Sequence, residues 1–444
     1  MSTTSRRLAS LSFFLAGALA LVSAEDNAIP FSPGFDIAQV AALAQSLPSE
    51  SWEFGTAAEA LLELHNPELS VFGDSPFPVA SGSKSSIQAL VYAADKIVIG
   101  STGLSNGNGA TGDPASLGVS AVMLGKTNKT FADAAAVQLA YLLDTAPRYS
   151  NGAISQRADK PVLWADFMYM APPFMAFYAA DSGNATLLRD TYKQCGLYRD
   201  VLQSNGKGLW KHIVGPEAAD PGHWSTGNAW AAAGMARVLA TIMRAPVAQD
   251  VSWCTGAISD LSGWIKEILD AAMGAPLDGG LLRNYIDSSA EPVFGEISGS
   301  SLLASVAYRM AVLRPDAFDA SYVAWADGIR KEFGTGGHVK SGVVSPAVNP
   351  HNWHDPDPDT SGSPEGQAMV VLMYAAWRDC VVAGTCQQAQ AKTQTQATKT
   401  TEVLTQAVQT SQVPRRKCSA NHAARRALQL EQSRRMQYVR RIQH

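Results

Sequence analysis

Apolar residues recur along most of this chain at the three- and four-residue spacing of amphipathic helices, in stretches that end at Gly, Pro or Asn. Alternation typical of strands is scarce, and only 96–99 and 338–344 show it. The pattern predicts twelve helices, at 36–46, 56–65, 84–98, 115–125, 130–144, 166–180, 185–203, 227–243, 255–273, 299–313, 317–333 and 364–380.

Twelve helices between Phe35 and Cys380 are too many for a simple bundle. They are the number that a toroid of six helical hairpins requires, so we expect an all-α fold of the (α/α)6 type. In such a toroid an inner ring of helices surrounds a pocket at one end. Functional residues should then lie in the loops at the mouth of that pocket.

The N-terminus has the pattern of a secretory signal peptide, which we assign to residues 1–24. It has two basic residues, Arg6 and Arg7, followed by an apolar run to Val22 and small residues. The mature protein is expected to begin near Glu25 and to be extracellular. Two sequons are consistent with a secreted glycoprotein, Asn128-Lys129-Thr130 and Asn184-Ala185-Thr186.

We assign residues 25–386 to the catalytic domain and residues 387–444 to a tail. The first part of the tail, to Gln412, is low-complexity Gln/Thr/Ala sequence and is predicted to be a disordered linker. The last part, 414–444, carries nine Arg or Lys against one acid, Glu431. We expect a flexible basic appendage there, and a basic helix or an interaction tail for acidic polymers is the alternative.

Five cysteines fit an oxidising compartment. Cys380 and Cys386 are expected to close a small loop, Cys195 and Cys254 are the candidate second pair, and Cys418 is left over. No Cys/His spacing is typical of zinc, and we expect no metal or cofactor. A net charge of −4 gives no indication of nucleic-acid binding by the main body, and no segment after the signal peptide has the length of a membrane helix. We expect a monomer that binds an oligosaccharide.

Asp166 is the single acid between Pro161 and Ala180 in an aromatic- and Met-rich stretch, ADKPVLWADFMYMAPPFMAFYAA, which runs from Ala158 to Ala180. Apolar surroundings disfavour the charged form of a carboxyl group, so its pKa should rise. A carboxyl that stays protonated near neutral pH can act as a general acid. The alternative is that Asp166 only caps a helix.

Two loops before Asp166 carry further candidates. A glycine-rich segment, 106–114, leads to Asp113, which is either a site residue or a helix N-cap before Pro114. The loop 152–163 brings three polar side chains close in sequence to Asp166: Gln156, Arg157 and Lys160.

A third loop, Gly208 to Trp230, combines three tryptophans with two histidines at the start of a helix. Aromatic faces cover the apolar face of a pyranose, and polar groups bind its hydroxyls, so this composition indicates a sugar platform. Its candidate residues are Trp210, His212, His223, Trp224, Asn228 and Trp230.

A fourth loop, Val348 to Gln367, contains His351, His354 and several aspartates before Ser363-Pro364. A metal-ion loop is an alternative here, although the spacing is not that of an EF-hand. Ser363 and Pro364 have the pattern of an N-cap and first helical position.

Three segments of the chain resemble secreted fungal members of glycoside hydrolase family 105, the unsaturated rhamnogalacturonyl hydrolases with six helical hairpins. The segments are VLWADFMYMAPPFMAFYA, HWSTGNAWAAAGMARVLATI and SGSPEGQAMVVLMYAAWRD. The resemblance covers most of residues 50–380. Its most specific part is the W-x-D-x-x-Y-M-A-x-P block from Trp164 to Pro173.

The resemblance implies hydration of a 4,5-unsaturated uronic acid at the end of a pectin-derived oligosaccharide. Asp166 would be the general acid/base and Asp113 the second carboxylate. The anomeric carbon is not attacked, so the carboxylate-distance rule of ordinary glycosidases does not apply. Residues assigned to substrate binding are Trp164, His212, Trp224, Trp230, Arg157, Asn228 and Tyr169.

The chain departs from the family pattern at two positions. Thr226 stands where the resemblance implies an Arg for the substrate carboxylate, and a hydroxyl cannot replace bidentate Arg recognition. Gln156 stands near where a His is often found. Either Arg157, Lys160 or Lys211 binds the carboxylate, or the substrate differs.

Two other functions remain open at this stage. An ordinary glycosidase on the same toroid, such as an endo-mannanase, would be expected to have an adjacent Asp-Asp pair, and this sequence has none. A secreted carbohydrate-binding protein without activity would keep the aromatic platform, but the presence of both Asp113 and Asp166 argues against it.

Overall fold

A computed structural model describes residues 29–81, 86–101, 103–203, 206–216, 219–290 and 294–387. Within these ranges twelve helices have eight or more residues, which is the predicted number, and α6 is a single turn. The helices are α1 (Ile37–Ser46), α2 (Ser51–His65), α3 (Gln88–Lys96), α4 (Gly118–Gly125), α5 (Lys129–Ala140), α6 (Phe167–Met170), α7 (Pro172–Ser182), α8 (Ala185–Leu202), α9 (Ser225–Arg244), α10 (Cys254–Met273), α11 (Ile297–Leu313), α12 (Ala320–Thr335) and α13 (Pro364–Val382).

Six of the helical segments form a closed inner ring. In order, the ring is α2, then α4 with the 3-10 turn Asp113–Leu117 before it, then α6–α7, α9, α11 and α13, which packs back on α2. Each outer helix packs on the inner helix that precedes it, and α1 packs on α13, so the two ends of the described chain complete the last pair. The predicted all-α toroid of six hairpins is confirmed.

The inner and outer helices differ in how much of their surface is apolar. On the inner helix α9 every residue from Ser225 to Ile242 is buried, and most of these residues are small or apolar. On the outer helix α8 only one stripe is buried, from Leu187 through Cys195 to Leu202. A helix that is buried on all sides belongs inside a ring, and one with a single apolar stripe belongs outside it.

Several predicted boundaries differ from the structure for local reasons. Helix α2 begins at Ser51 rather than 56, because Glu53 accepts hydrogen bonds from the backbone N–H groups of Ser49 and Glu50. The predicted helix 166–180 is divided at Ala171, since Pro172 has no N–H and starts a new helix, α7.

Three short antiparallel pairs of strands lie between the helices. They are β1 (Leu163–Trp164) with β2 (Ile213–Val214), β3 (Leu277–Asp278) with β4 (Leu281–Leu282), and β5 (Val339–Lys340) with β6 (Val343–Val344). The last pair lies within the strand-like segment 338–344. The other, 96–99, forms no strand in the described structure.

The disulfide predictions have two outcomes. Cys380 and Cys386 are bonded, as expected. The predicted pair of Cys195 and Cys254 is wrong, because both are buried but not disulfide-bonded. The predicted signal peptide, Cys418 and the tail from 388 lie outside the described residues. No helix within the described ranges is long and apolar enough to cross a membrane.

A network of buried charges joins four inner helices. Glu63 of α2 accepts hydrogen bonds from Arg237 of α9 at 2.5 Å and from Arg309 of α11 at 2.7 Å. Arg237 also bonds Glu59, and Arg309 bonds Asp379 of α13, at 2.8 and 2.5 Å. Both arginines and both glutamates are less than one-tenth exposed, so each charge depends on its partners for compensation.

The fold should therefore be sensitive to the loss of one arginine. Arg237→Leu leaves Glu59 without its cation and Glu63 with only one. Breaking a buried ion pair in this way costs about 3–5 kcal/mol of unfolding free energy. Equilibrium denaturation measures this, with Lys331→Leu, which removes a largely exposed partner of Asp327, as a control expected to change stability by about 0.5 kcal/mol or less. A change below about 1 kcal/mol for Arg237→Leu would contradict the role given to the network.

Candidate active site

One cavity of about 250 Å³ opens among the loops at one end of the ring. It is lined by carboxyl, amide, aromatic and basic side chains from both halves of the chain. The lining residues are Glu50, Trp52, Gly107, Asn108, Asp113, Gln156, Arg157, Trp164, Asp166, Met170, His212, Trp224, Pro350, His351, Trp353 and Glu365.

Five of the six inner-ring segments begin at this cavity. The lining includes the second residue of α2, Trp52, the first residue of the 3-10 turn before α4, Asp113, and the second residue of α13, Glu365. Asp166 and Trp224 immediately precede α6 and α9. The N-terminal end of a helix carries unpaired N–H groups and a partial positive charge, so a cavity at such ends favours a negatively charged group.

Asp113 lies deep in the cavity wall. The Gln156 side-chain Nε2 donates a hydrogen bond to its Oδ1 at 2.7 Å. Burial and, to a smaller extent, the charge of Asp166 raise the pKa of Asp113 to about 7, against the opposing effect of the Gln156 hydrogen bond. The Asp113 carboxyl is thus protonated up to about neutral pH.

Asp166 is held beside His212 by the pairing of β1 with β2. Trp164 lies opposite Ile213, and the backbone N–H of Ala165 donates to the carbonyl oxygen of His212 at 2.9 Å. As a result His212 Nε2 lies 3.3 Å from Asp166 Oδ2, within ion-pair distance.

A second carboxylate lies on the other side of the His212 ring. Nδ1 of His212 is 3.0 Å from Asp220 Oδ2, and the Tyr285 hydroxyl donates to the same oxygen at 2.6 Å. His354 stacks on Tyr285 with ring centroids 5.4 Å apart. His212 therefore has an acidic partner at each ring nitrogen, as a doubly protonated imidazolium requires.

The pKa values of this pair agree with that protonation state. Burial alone would lower the pKa of His212, but the nearby charge of Asp166 and the hydrogen bond with Asp220 raise it above its ordinary value. For Asp220, burial would raise the pKa, and the hydrogen bonds from His212, Tyr285 and the Gly222 N–H lower it to about 2. The imidazolium form of His212 is the stabilised one.

Three tryptophans surround His212. The ring centroids of Trp224, Trp353 and Trp164 lie 4.4, 4.9 and 5.7 Å from that of its imidazole. Asn284 fixes two of them, because its Oδ1 accepts from Trp224 Nε1 and its Nδ2 donates to the Trp353 carbonyl, both at 2.9 Å. The result is an aromatic wall of the kind that covers the apolar face of a sugar.

The structure brings six of the nine predicted site residues to the cavity, namely Asp113, Asp166, Trp164, His212, Trp224 and Arg157. It places three elsewhere. Trp230 and Tyr169 pack against each other at 4.6 Å below the cavity, and Asn228 hydrogen-bonds the backbones of Trp210 and Trp224. These three residues are therefore not part of the cavity lining.

The position of the expected family arginine also lies outside the cavity lining. Thr226 is fully buried, and its hydroxyl donates to Glu296 at 3.2 Å. Of the three basic residues considered as replacements, Arg157 lines the cavity, whereas Lys160 and Lys211 are not among the lining residues. Arg157 donates from Nη2 to the Asn108 carbonyl at 3.1 Å.

Sequence reasoning missed Asp220, Trp353 and Glu365. A usable signal existed for Glu365, which is the one acid in the first turn of a mainly apolar helix. Trp353 lies between two histidines in a loop interpreted only as a cap or metal site. Asp220 follows His212 by eight residues, but nothing local in the sequence indicates that the loop folds back to pair them.

The aspartates of the fourth loop form turns. Asp355 accepts from the Asp357 N–H at 3.0 Å, and Asp359 accepts from the Ser361 N–H at 2.7 Å. Among the residues with described positions, no group of three or more His, Cys, Asp or Glu side chains is arranged to hold a metal ion.

Residues 115–271 match the family model described as Glycosyl Hydrolase Family 88, a segment that contains Asp166, His212 and Trp224. The prediction of a glycoside hydrolase is thereby confirmed. No curated protein matches the chain.

Solved structures share the fold at low sequence identity. A possible member of glycoside hydrolase family 105 from Salmonella enterica is 15% identical with a TM-score of 0.61, over 77% of this chain and 93% of its own. A family 105 hydrolase from C. acetobutylicum is 16% identical with a TM-score of 0.60, over 78% and 99%. The unsaturated glucuronyl hydrolase of Bacillus sp. GL1, responsible for degradation of glycosaminoglycan, is 14% identical with a TM-score of 0.54, over 77% and 94%. The family match covers about a third of the chain, and the solved structures share the fold that the resemblance to family 105 implied.

Proposed function

We propose that this protein removes a terminal 4,5-unsaturated uronic acid from oligosaccharides by hydration of the enol ether. The observation that carries the proposal is the pair of carboxyl groups, Asp113 and Asp166, in a cavity with His212 and an aromatic wall. The similarity to an unsaturated glucuronyl hydrolase supports the same chemistry.

The reaction needs one proton and one water molecule. The Asp113 carboxyl, which interacts with the charge of Asp166, holds a proton below about pH 7. In our proposal Asp166 passes this proton to C4, and water adds at C5 and returns a proton to the pair. The C5 hemiketal opens, and the hemiacetal left at C1 breaks down to release the next sugar.

The charge of the site suits a substrate that carries a carboxylate. The N-terminal ends of inner helices favour an anion, and Arg157 supplies a cation at the cavity wall. Arg157 is therefore our candidate for the carboxylate-binding residue. A pectin-derived oligosaccharide, in which a lyase has left the unsaturated uronate, is the proposed substrate class.

We also propose that the protein is secreted. The signal-peptide pattern of residues 1–24 supports this, as does the disulfide between Cys380 and Cys386. Both sequon asparagines, Asn128 and Asn184, are exposed at helix N-caps. N-terminal sequencing and glycan analysis of protein recovered from the medium test this localisation.

The catalytic proposal predicts that Asp166→Asn loses turnover but not binding. Removal of a general acid lowers kcat by about 10²–10⁴-fold, whereas an isosteric amide keeps the shape of the cavity. Loss of the ultraviolet absorbance of the unsaturated uronate measures kcat on digests made with pectin, rhamnogalacturonan and glycosaminoglycan lyases. Calorimetry with the same sugars measures binding.

The control for this experiment is Asp133→Asn, which alters an exposed pair on the outer helix α5 and should keep wild-type rates. The digest whose absorbance is lost fastest identifies the polysaccharide from which the substrate is derived. Release of saturated sugars without any absorbance change would instead indicate an ordinary glycosidase. Binding without turnover in the wild-type protein would favour the carbohydrate-binding alternative.

A second prediction concerns the pH dependence of turnover. Because Asp113 loses its proton near pH 7, kcat/KM should fall as the pH rises through about 7. The hydrogen bond from Gln156 stabilises ionised Asp113, so Gln156→Leu should raise the Asp113 pKa and move this alkaline limb to higher pH. The quantity to compare is the pH at which kcat/KM falls to half of its maximum, and not the maximum itself. A limb that stays at the wild-type pH would contradict the assignment to Asp113.

A third prediction concerns the protonation of His212. Asp220→Asn removes one of its two acidic partners, so the His212 pKa should fall, as measured by NMR titration of the imidazole. In the wild-type protein the raised pKa stabilises the fold below the unfolded value of about 6.5, and this stabilisation is lost as pH rises through the folded-state pKa. Asp287→Asn, at His223, is the control and should leave His212 unchanged. Equal titration curves for His212 in the Asp220 variant and wild type would refute the arrangement.

A further inference from the structure

Among the cavity carboxyl groups that the catalytic scheme does not use, Glu365 is the buried one. Glu365 is the second residue of α13, lines the cavity and is only 2% exposed. Its Oε1 accepts a hydrogen bond from Trp52 Nε1 at 2.8 Å. Its Oε2 is buried and has no hydrogen-bond partner among the described residues.

A buried carboxyl oxygen without a partner is unfavourable, and such groups usually have an explanation. The hydrogen bond from Trp52 Nε1 to Oε1 holds the Glu365 carboxyl group in one orientation. In that orientation Oε2 cannot also accept from Trp52. The cavity that Glu365 lines is the space from which a partner can come.

The charges around Glu365 determine which form of the carboxyl is present. The charges of Glu53, Asp166 and Glu296 act on it most strongly, and all three groups are acidic. Burial first, and then these charges, raise the pKa of Glu365 well above its ordinary value. Oε1 accepts from Trp52, so the proton of the neutral carboxyl resides on Oε2, which is then a hydrogen-bond donor.

We propose that Glu365 is a substrate-binding residue whose Oε2–H donates a hydrogen bond to an oxygen atom of the sugar in the cavity. This inference rests on the proposed function, because it adds a contact for the same sugar. It concerns binding only, and Glu365 takes no part in proton transfer to the substrate.

The test compares Glu365→Gln with Glu365→Leu on the unsaturated disaccharide that wild type consumes fastest. The Gln amide can accept from Trp52 and donate to the sugar, so its KM should rise by less than about threefold. Leu has a similar volume but no donor, so its KM should rise by about tenfold or more, the equivalent of one lost hydrogen bond. Calorimetry in the Asp166→Asn background should show the same order of Kd values.

The matched control is Ser363→Ala, at the N-cap of the same helix. Ser363 accepts from the Gly366 N–H at 3.2 Å and does not line the cavity. Its loss should lower the Tm, because the cap is removed, but should leave KM unchanged. This separates damage to the start of α13 from loss of the Glu365 carboxyl.

The outcomes distinguish this inference from the proposed function. Suppose that the wild-type protein is active. If both Glu365 variants then have the wild-type KM, or if Glu365→Gln raises KM as much as Glu365→Leu does, the role of Glu365 is refuted and the proposed function is not. If wild type binds but does not hydrate the sugar, and the variants keep the predicted order of Kd, only the proposed function is refuted. If wild type neither binds nor hydrates any of the sugars, both are refuted.

Discussion

The shape of the cavity depends on Glu63 and the two arginines that share its carboxylate. Glu63 bonds Arg237 with one oxygen and Arg309 with the other, and so fixes α2, α9 and α11 relative to each other. Buried ion pairs add little net stability but are strongly directional. We infer that this network constrains how the four inner helices that it joins are rotated about their axes. The rotation decides which residue at the start of each helix faces the cavity.

The effect of this network reaches the catalytic pair through the turn that follows Asp166. The Arg237 guanidinium lies 5.1 Å from the ring centroid of Tyr169, and Tyr169 packs on Trp230. The turn also lies against α9 at Gly234, where a Cβ atom would come within 1.9 Å of the Met168 carbonyl oxygen. Tyr169 and Trp230 therefore pack between this network and the turn that follows Asp166.

The site residues that could be predicted from the sequence are those whose neighbours in the sequence differ from them in chemical type. Asp166 is conspicuous as an acid in an apolar run, and His212 as a histidine among tryptophans. The contact between Trp52 and Glu365 could not be found in this way, because it joins positions 313 residues apart and exists only when the ring closes. The cysteines show that residue type alone can also mislead. Cys195 and Cys254 are both buried, but they do not form the predicted disulfide. Periodicity predicted the helices, but their mutual rotation depends on long-range packing.

The cavity contains groups that attract an anion and groups that would repel it, and the protonation of carboxyl groups reduces the repulsion. Helix N-termini and Arg157 attract an anion, yet Asp113, Asp166 and Glu365 would repel it if all three were ionised. His212 offsets the charge of Asp166, while burial raises the pKa of Asp113 and of Glu365. Each retained proton removes a negative charge from the cavity and leaves a donor or an acid in its place. Because the protons that make the cavity acceptable to a uronate include the proton that hydration uses, binding and turnover should weaken together as the pH rises.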